Sequence, residues 1–220
     1  MTFSVIARCA ESGRFGVAVT SSSIAVASRC GRWARAGVGA VATQNITDPA
    51  LGQLGLDLLA EGYGAEAVLR SMVAARPFAE FRQLAVVDDN GATASYSGAK
   101  SLGLYKEHHG KDCVACGNLL ANDSIPKAMV GAFERNPGKH LGERLLAALE
   151  AGLAAGGETA PVRSAGLYVV DRFVWPVIDL RVDWQDDPIA ELGRIFAEYF
   201  PQMDDYIQRA VDPTQAPGYK

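Results

Sequence analysis

The shortness of the turns between β-rich runs restricts the fold of this chain more than any other feature. Thr2 to Arg8 and Phe15 to Ser21 flank the polar, Gly-containing segment CAESG. Two further runs flank Asp89-Asn90-Gly91, and Asn-Gly is a strong short hairpin signal. SAGLYVV and VWPVIDLRV make another pair. Strands joined across such turns are antiparallel, because a parallel pair needs a crossover of a dozen or more residues. A doubly wound parallel sheet is therefore disfavoured.

Helices separate the strand groups. Asp48 supplies an N-cap and Pro49 the first helical position, with Leu51, Leu54, Leu58 and Leu59 on one face and Gly62 beyond the end. A second helix is expected from about Ala65 to Ala75. ARAGVGAVATQN reads as one buried strand and DCVACG as another. Helices are predicted over Ile125 to Glu134 and Leu141 to Ala154, and from Asp187-Pro188 onward, where Ile189, Leu192, Ile195, Phe196 and Tyr199 share a face. Two mainly antiparallel sheets facing each other, each covered outside by helices, bury every one of these apolar faces. The expected fold is thus α+β, a four-layer αββα sandwich forming a single domain over residues 1–200, with a C-terminal tail at 201–220.

Composition narrows the function. Of the 220 residues, 49% are apolar and 21% charged, which suits a globular core. A net charge of -4 gives no field to gather nucleic acid or an anionic membrane, so neither is an expected partner. No run approaches the ~18 apolar residues of a membrane span. Arg8 and Glu11 interrupt the start too early for a secretory leader, so the expected location is cytoplasmic. Four cysteines are too few for a disulfide scaffold at this length.

Several motifs lose their chemistry in context. GVGAVA fits a dinucleotide fingerprint, but its glycines lie inside a strand with no helix opening there, so no cofactor is expected. On a strand, Cys113 and Cys116 of CVAC point to opposite faces, which disfavours a redox pair or a zinc site; no metal is expected. His108-His109 reads as a polar loop and His140 as a helix-start residue. With three histidines and no G-x-S-x-G elbow, a Ser-His-Asp triad has little to build on.

Polar residues at strand exits are different. Gln44 and Asn45 leave a buried strand just before a helix, and Gly117-Asn118 ends another. Either pair can donate to a developing oxyanion. Thr2 adds a nucleophile: an N-terminal Thr attacks through its hydroxyl and uses its own α-amine as base. That amine has an ordinary pKa of about 7.7–8.0, close to working pH. Exposing it requires removal of Met1.

The stretches MTFSVIARCAESGRFGVAV, RWARAGVGAVATQ, GLDLLAEG, RQLAVVDDNG, GNLLA, LGERLLAALEAG and DLRVD resemble the domain of unknown function 1028 family, assigned to the N-terminal nucleophile (Ntn) hydrolase superfamily. The resemblance runs from Thr2 to about Phe200. It implies the same αββα sandwich and a Thr2 nucleophile. It further implies that Arg35 stands where the superfamily places an amine-tuning Lys, Gln44 near the backbone donor of the oxyanion hole, and Asn118 near a polar strand-to-helix cluster. Ser21 and Asn45 are expected to face the substrate. Two departures stand out. Arg stays charged where that Lys tunes a proton equilibrium, and Ala18, with Thr20 and Ser21 beyond it, occupies the strand where an acidic partner for that Lys is expected. The reading is an amidohydrolase cleaving a small-molecule amide or peptide-like bond, assembled as a homo-oligomer, a dimer. The alternative is a catalytically silent protein of the same fold that binds a small molecule or a partner. A thiol or zinc module built on CVAC is a third.

Overall fold

A computed structural model describes residues 2–218. Removal of Met1, on which a free Thr2 amine depends, lies outside the described residues, as do the last two positions of the expected tail. The first half of the chain forms β1 (Thr2–Arg8), β2 (Phe15–Ser21), α1 (Ala27–Cys30), β3 (Ala34–Arg35), β4 (Gly39–Asn45), α2 (Pro49–Ala60) and α3 (Ala65–Ala75). Then come β5 (Arg82–Asp88), β6 (Thr93–Ser97), β7 (Lys106–Gly110), β8 (Cys113–Asn118), α4 (Ile125–Glu134) and α5 (Leu141–Ala154). The chain continues through β9 (Ser164–Val170), β10 (Pro176–Val182), α6 (Pro188–Tyr199) and α7 (Met203–Val211).

Among the described residues the strands make a six-stranded sheet, β10-β9-β2-β1-β8-β7, and a four-stranded sheet, β3-β4-β5-β6. Every pairing is antiparallel. The two-residue period of β1 explains the layers. Phe3, Val5 and Ala7 face outward into a core with Phe133, Leu141, Leu145, Leu149, Leu192 and Phe196, which covers the larger sheet with α4, α5 and α6. On the other side of β1, Ile6 meets Phe15, Val17, Ala40, Ala42, Ala85, Val87, Val114 and Cys116 between the sheets. Leu51, Leu56, Leu59, Val68, Leu69 and Met72 of α2 and α3 pack on Val41, Leu84 and Val86 of the smaller sheet. The result is an α+β sandwich of two antiparallel sheets with helices on both outer faces. Each fully buried Leu, Ile, Val, Phe or Met contributes about 1.5–3 kcal/mol.

The helix starts obey their local signals. The Asp48 side chain accepts from Ala50 N at 3.1 Å, with Pro49 in the first turn. His140 accepts from Gly142 N at 3.1 Å through Nδ1, while Glu143 reaches back to His140 N at 3.0 Å, a capping box.

Four expectations differ from the structure. ARAGVGAVATQN is not one strand but the hairpin of β3 and β4, because Gly37, at φ +68°, and Gly39, at φ +157°, turn the chain between them. The short α1 was not expected at all. His108 and His109 lie on the edge strand β7 rather than in a loop. There His109 joins the two sheets, with Nδ1 2.7 Å from Thr93 Oγ1 and Nε2 2.8 Å from Ser95 Oγ of β6. Finally, the segment read as a tail carries α7, which buries Met203 in the helix-covered core of the larger sheet.

Candidate active site at the polar end of the sandwich

The space between the sheets changes character along β1. Its middle is apolar, around Ile6, and its end at Thr2 and Ser4 is polar. Strand parity requires this: Gln44 continues the inward face of Ala40 and Ala42, Gln83 that of Ala85, and Asn118 that of Val114 and Cys116. These polar groups are buried and so must find partners. Ser4 Oγ donates to Gln44 Oε1 at 2.6 Å. Gln44 Nε2 donates to Gln83 Oε1 at 2.8 Å and to Cys116 O at 3.2 Å. Gln83 Nε2 donates to Ser97 Oγ and to Gly117 O, both at 3.0 Å. Asn118 Nδ2 donates to Gln83 Oε1 at 3.1 Å. The Gln44 amide is thus fully engaged, which makes it a support beneath the site rather than an open donor. Gln83, absent from the expected residues, is the hub. Its signal in the sequence was a Gln at an inward-facing position of an otherwise apolar strand.

Thr2 caps this polar layer. It is opposite Asn118 on β8, and its Oγ1 is 3.5 Å from Ser21 Oγ at the end of β2. Although only 5% exposed, it lines a cavity of about 270 Å³ with Ser21, Ser23, Val26, Arg29, Cys30, Asn45, Ile46 and Thr47. The wall from the smaller sheet is rigid. Asn45 sits at φ +68° and donates through Nδ2 to Phe81 O at 2.6 Å, while its Oδ1 accepts from Leu102 N at 3.2 Å. The opposite wall is α1, whose Arg29 donates through Nη2 to Ile24 O at 2.9 Å. Cys30 Sγ lies 3.3 Å from Thr47 Oγ1, and burial pushes its thiol above the usual range.

A second residue missing from the sequence reading stands beside this site. Glu158 is 8% exposed and accepts from Ser22 N at 3.2 Å through Oε2, while Oε1 has no partner. Burial, opposed by hydrogen bonding from Ser22, holds its carboxyl up at about 7. The signal was a lone carboxylate directly after Gly156-Gly157, glycines at φ +130° and +61° that carry the chain back from α5 to the sheet.

The structure brings Thr2, Ser21, Asn45 and Asn118 together, with Gln44 one layer below. It does not bring Arg35. That residue pairs with Gly39, at the far end of β4 from Asn45, a separation of about 20 Å at ~3.3 Å per residue. Its guanidinium instead meets Asp57 Oδ1 at 2.8 Å on the surface. Position before the strand suggested proximity, but the β3–β4 turn reverses the chain and carries Arg35 away.

Cys113 and Cys116 do face opposite sides of β8, one in the helix-covered core and one between the sheets. Burial pushes both thiols up to about 12, so they are neutral and unreactive. Among the described residues no group of three or more His, Cys, Asp or Glu could hold a metal ion, and no helix is long and apolar enough to cross a membrane. A larger cavity, about 520 Å³, opens at the other end of β1 among Arg8, Cys9, Glu11, Lys111, Asp112, Glu134 and Arg144. Its charges are largely engaged: Arg8 pairs with Asp112 at 3.0 Å, Glu134 accepts from Lys111 N at 2.7 Å, and Arg144 Nε donates to Phe133 O at 3.1 Å. The smaller cavity, by contrast, is lined by the hydroxyl residues Thr2, Ser21, Ser23 and Thr47 at the start of β1.

A family model described as "Family of unknown function (DUF1028)" matches residues 2–192. The chain is also similar to the crystal structure of a protein from Silicibacter pomeroyi described under the same family model. The TM-score is 0.82, with 28% identity over 90% of this chain and 88% of that one. No curated protein matches the sequence.

Proposed function

Since the chain belongs to the DUF1028 family, and its first strand starts at a cavity between two sheets, we propose that it is an amide hydrolase of the N-terminal nucleophile type. The observation that carries this reading is the placement of Thr2. Its hydroxyl faces the inter-sheet space at its open, polar end, beside Ser21, on a strand held by pairing on both sides.

With Met1 removed, the Thr2 α-amine accepts the proton of Oγ1 as the oxygen attacks the carbonyl carbon of a small amide. The tetrahedral adduct collapses, the C–N bond breaks, and the amine product leaves with that proton. The remaining ester links the acyl group to Thr2. Water then attacks the ester carbonyl and passes a proton to the same amine, which hands it to Oγ1 as the ester C–O bond breaks and a carboxylic acid is released. The rigid wall at Asn45 and the network beneath Thr2 keep the strand end fixed, which is the protein's contribution to orientation. The cytoplasm suits a chain whose four cysteines are all free. A homodimer belongs to the same reading and would sediment at twice the chain mass.

A β-lactone acylating probe tests the nucleophile without knowledge of the substrate. Protein beginning at Thr2 should gain one probe mass, mapped to Thr2, and Thr2→Ser should still label. Thr2→Ala should not label, nor should protein retaining Met1, since losing a positioned base costs ~10²–10⁴ in rate. Equal labelling of the alanine variant would favour a silent binding protein instead.

A further inference from the structure

The column of β1 is closed just upstream of Thr2. β1 lies between β2 and β8, and both neighbours run on past its first residue, β2 into Ser22 and β8 into Leu119 and Leu120. Glu158 bridges them. On the β8 side its main chain pairs with Leu120, flanked by Ala121 N donating to Gly157 O at 3.0 Å and Thr159 N donating to Leu119 O at 2.9 Å. On the β2 side its carboxylate accepts from Ser22 N at 3.2 Å. A group bonded to both neighbours of β1, beyond the first residue of β1, sits in line with the amino end of Thr2.

The site is also short of a donor. Among the described residues, Glu158 Oε1, Ser22 Oγ and Asn118 Oδ1 are buried without hydrogen-bond partners. All three flank the start of β1: Asn118 is opposite Thr2, Ser22 follows Ser21, and Glu158 closes the column. Buried polar atoms are normally paired, and a buried carboxylate especially so. Among the described residues no salt bridge involves Glu158. What these atoms lack is a cationic donor with several N–H groups.

We propose that Glu158 is the counter-ion of the Thr2 α-ammonium, a positioning residue that holds the amine against its own hydroxyl when Thr2 is the first residue of the chain. This rests on the Thr2 reading above. The titratable groups lining the adjoining cavity are Arg29, whose guanidinium is engaged with the Ile24 and Ala25 carbonyls, and Cys30, held neutral by burial. Ser22 and Asn118 contribute no charge. Pairing with the carboxylate favours the ammonium form.

The experiment is direct measurement of the α-amine pKa, by ¹³C reductive methylation and NMR, on full-length chain beginning at Thr2. The amine of wild type should titrate about one unit or more above that of Glu158→Gln. Glu158→Asp should fall between them. Equal values in wild type and a folded Glu158→Gln would overturn the proposal. If Glu158→Gln does not fold, a wild-type amine at or below the ordinary range of about 7.7–8.0 overturns it. The readout needs no turnover, and Thr2→Ala should show the same raised amine. The pair can therefore fail while probe labelling at Thr2 stands, and labelling can fail while the pair stands.

Discussion

Gln83 bonds to the side chains of Gln44, Asn118 and Ser97 and to the Gly117 carbonyl. Replacing it with Leu keeps most of the volume but strands Asn118 Nδ2 and Gly117 O in a dry layer. Each orphaned buried group costs about 1–3 kcal/mol, so Gln83→Leu should lose ~2–5 kcal/mol in urea unfolding. Glu158 makes a pH-dependent prediction of a different sign from the usual carboxylate. Its folded pKa, about 7, lies above the ordinary value near 4.5, so the unfolded chain releases the proton first as pH rises. The associated stability is fully present below about pH 4.5 and is lost as pH climbs through 7. His140 opposes it. Burial, reinforced by the nearby Arg14 charge, depresses its imidazole to about 4, so its contribution is present above 6.5 and lost as pH falls towards 4. Wild type alone mixes the two. The difference between wild type and Glu158→Gln isolates the first, and that difference should shrink on going from pH 7 to pH 4.5. A constant difference would remove the buried, raised carboxylate from the account.

At the scale of single elements, α2 is set by its two ends and by one glycine. Asp48 caps the helix through Oδ1 and pairs with Arg76 Nε at 3.0 Å through Oδ2. Asp48→Ala should cost about 0.5–2 kcal/mol while leaving Thr2 labelling intact, because its carboxylate is turned to the helix and not to the cavity. Loss of labelling without loss of stability would mean that the site extends to the α2 start. Gly52 is needed for another reason: a Cβ there would lie 2.3 Å from the Trp33 ring. Gly52→Ala should therefore destabilise by displacing Trp33, despite the better helix propensity of Ala, and a thermal melt that rises would show the contact to be soft. The β6–β7 contact through His109 is an element-level feature of the same kind. His109→Ala should speed hydrogen exchange at those two strands ahead of the rest of the sandwich.

Across the whole molecule, the local part of the fold was legible and the assembly of the site was not. The β1–β2 hairpin, the Asn-Gly turn between β5 and β6, and the helices α2, α3, α4 and α5 follow from two-residue and 3.6-residue periods, from Asp-Pro starts and from glycine exits. All of these act within a few residues, so a sequence displays them directly. The β3–β4 turn was missed because its glycines look the same in a tight strand as in a turn. Strand β7 was missed because an edge strand with polar side chains has no period to read. The candidate site depended on longer distances. Thr2, Ser21, Asn45 and Asn118 come from four strands. They meet because antiparallel register and strand parity turn them to the same end of one inter-sheet layer, and that register is fixed only when both sheets pack. Arg35 was placed by sequence position and moved away by one turn. Glu158, more than 150 residues from Thr2 in the chain, reaches the head of β1 only through the return from α5. The sequence alone settled the β1–β2, β5–β6 and β9–β10 hairpins and the apolar faces of the helices, because those are contests between neighbours. Only the tertiary structure decided which polar groups share the dry end of the sandwich, because burial there is created by the two sheets closing on each other.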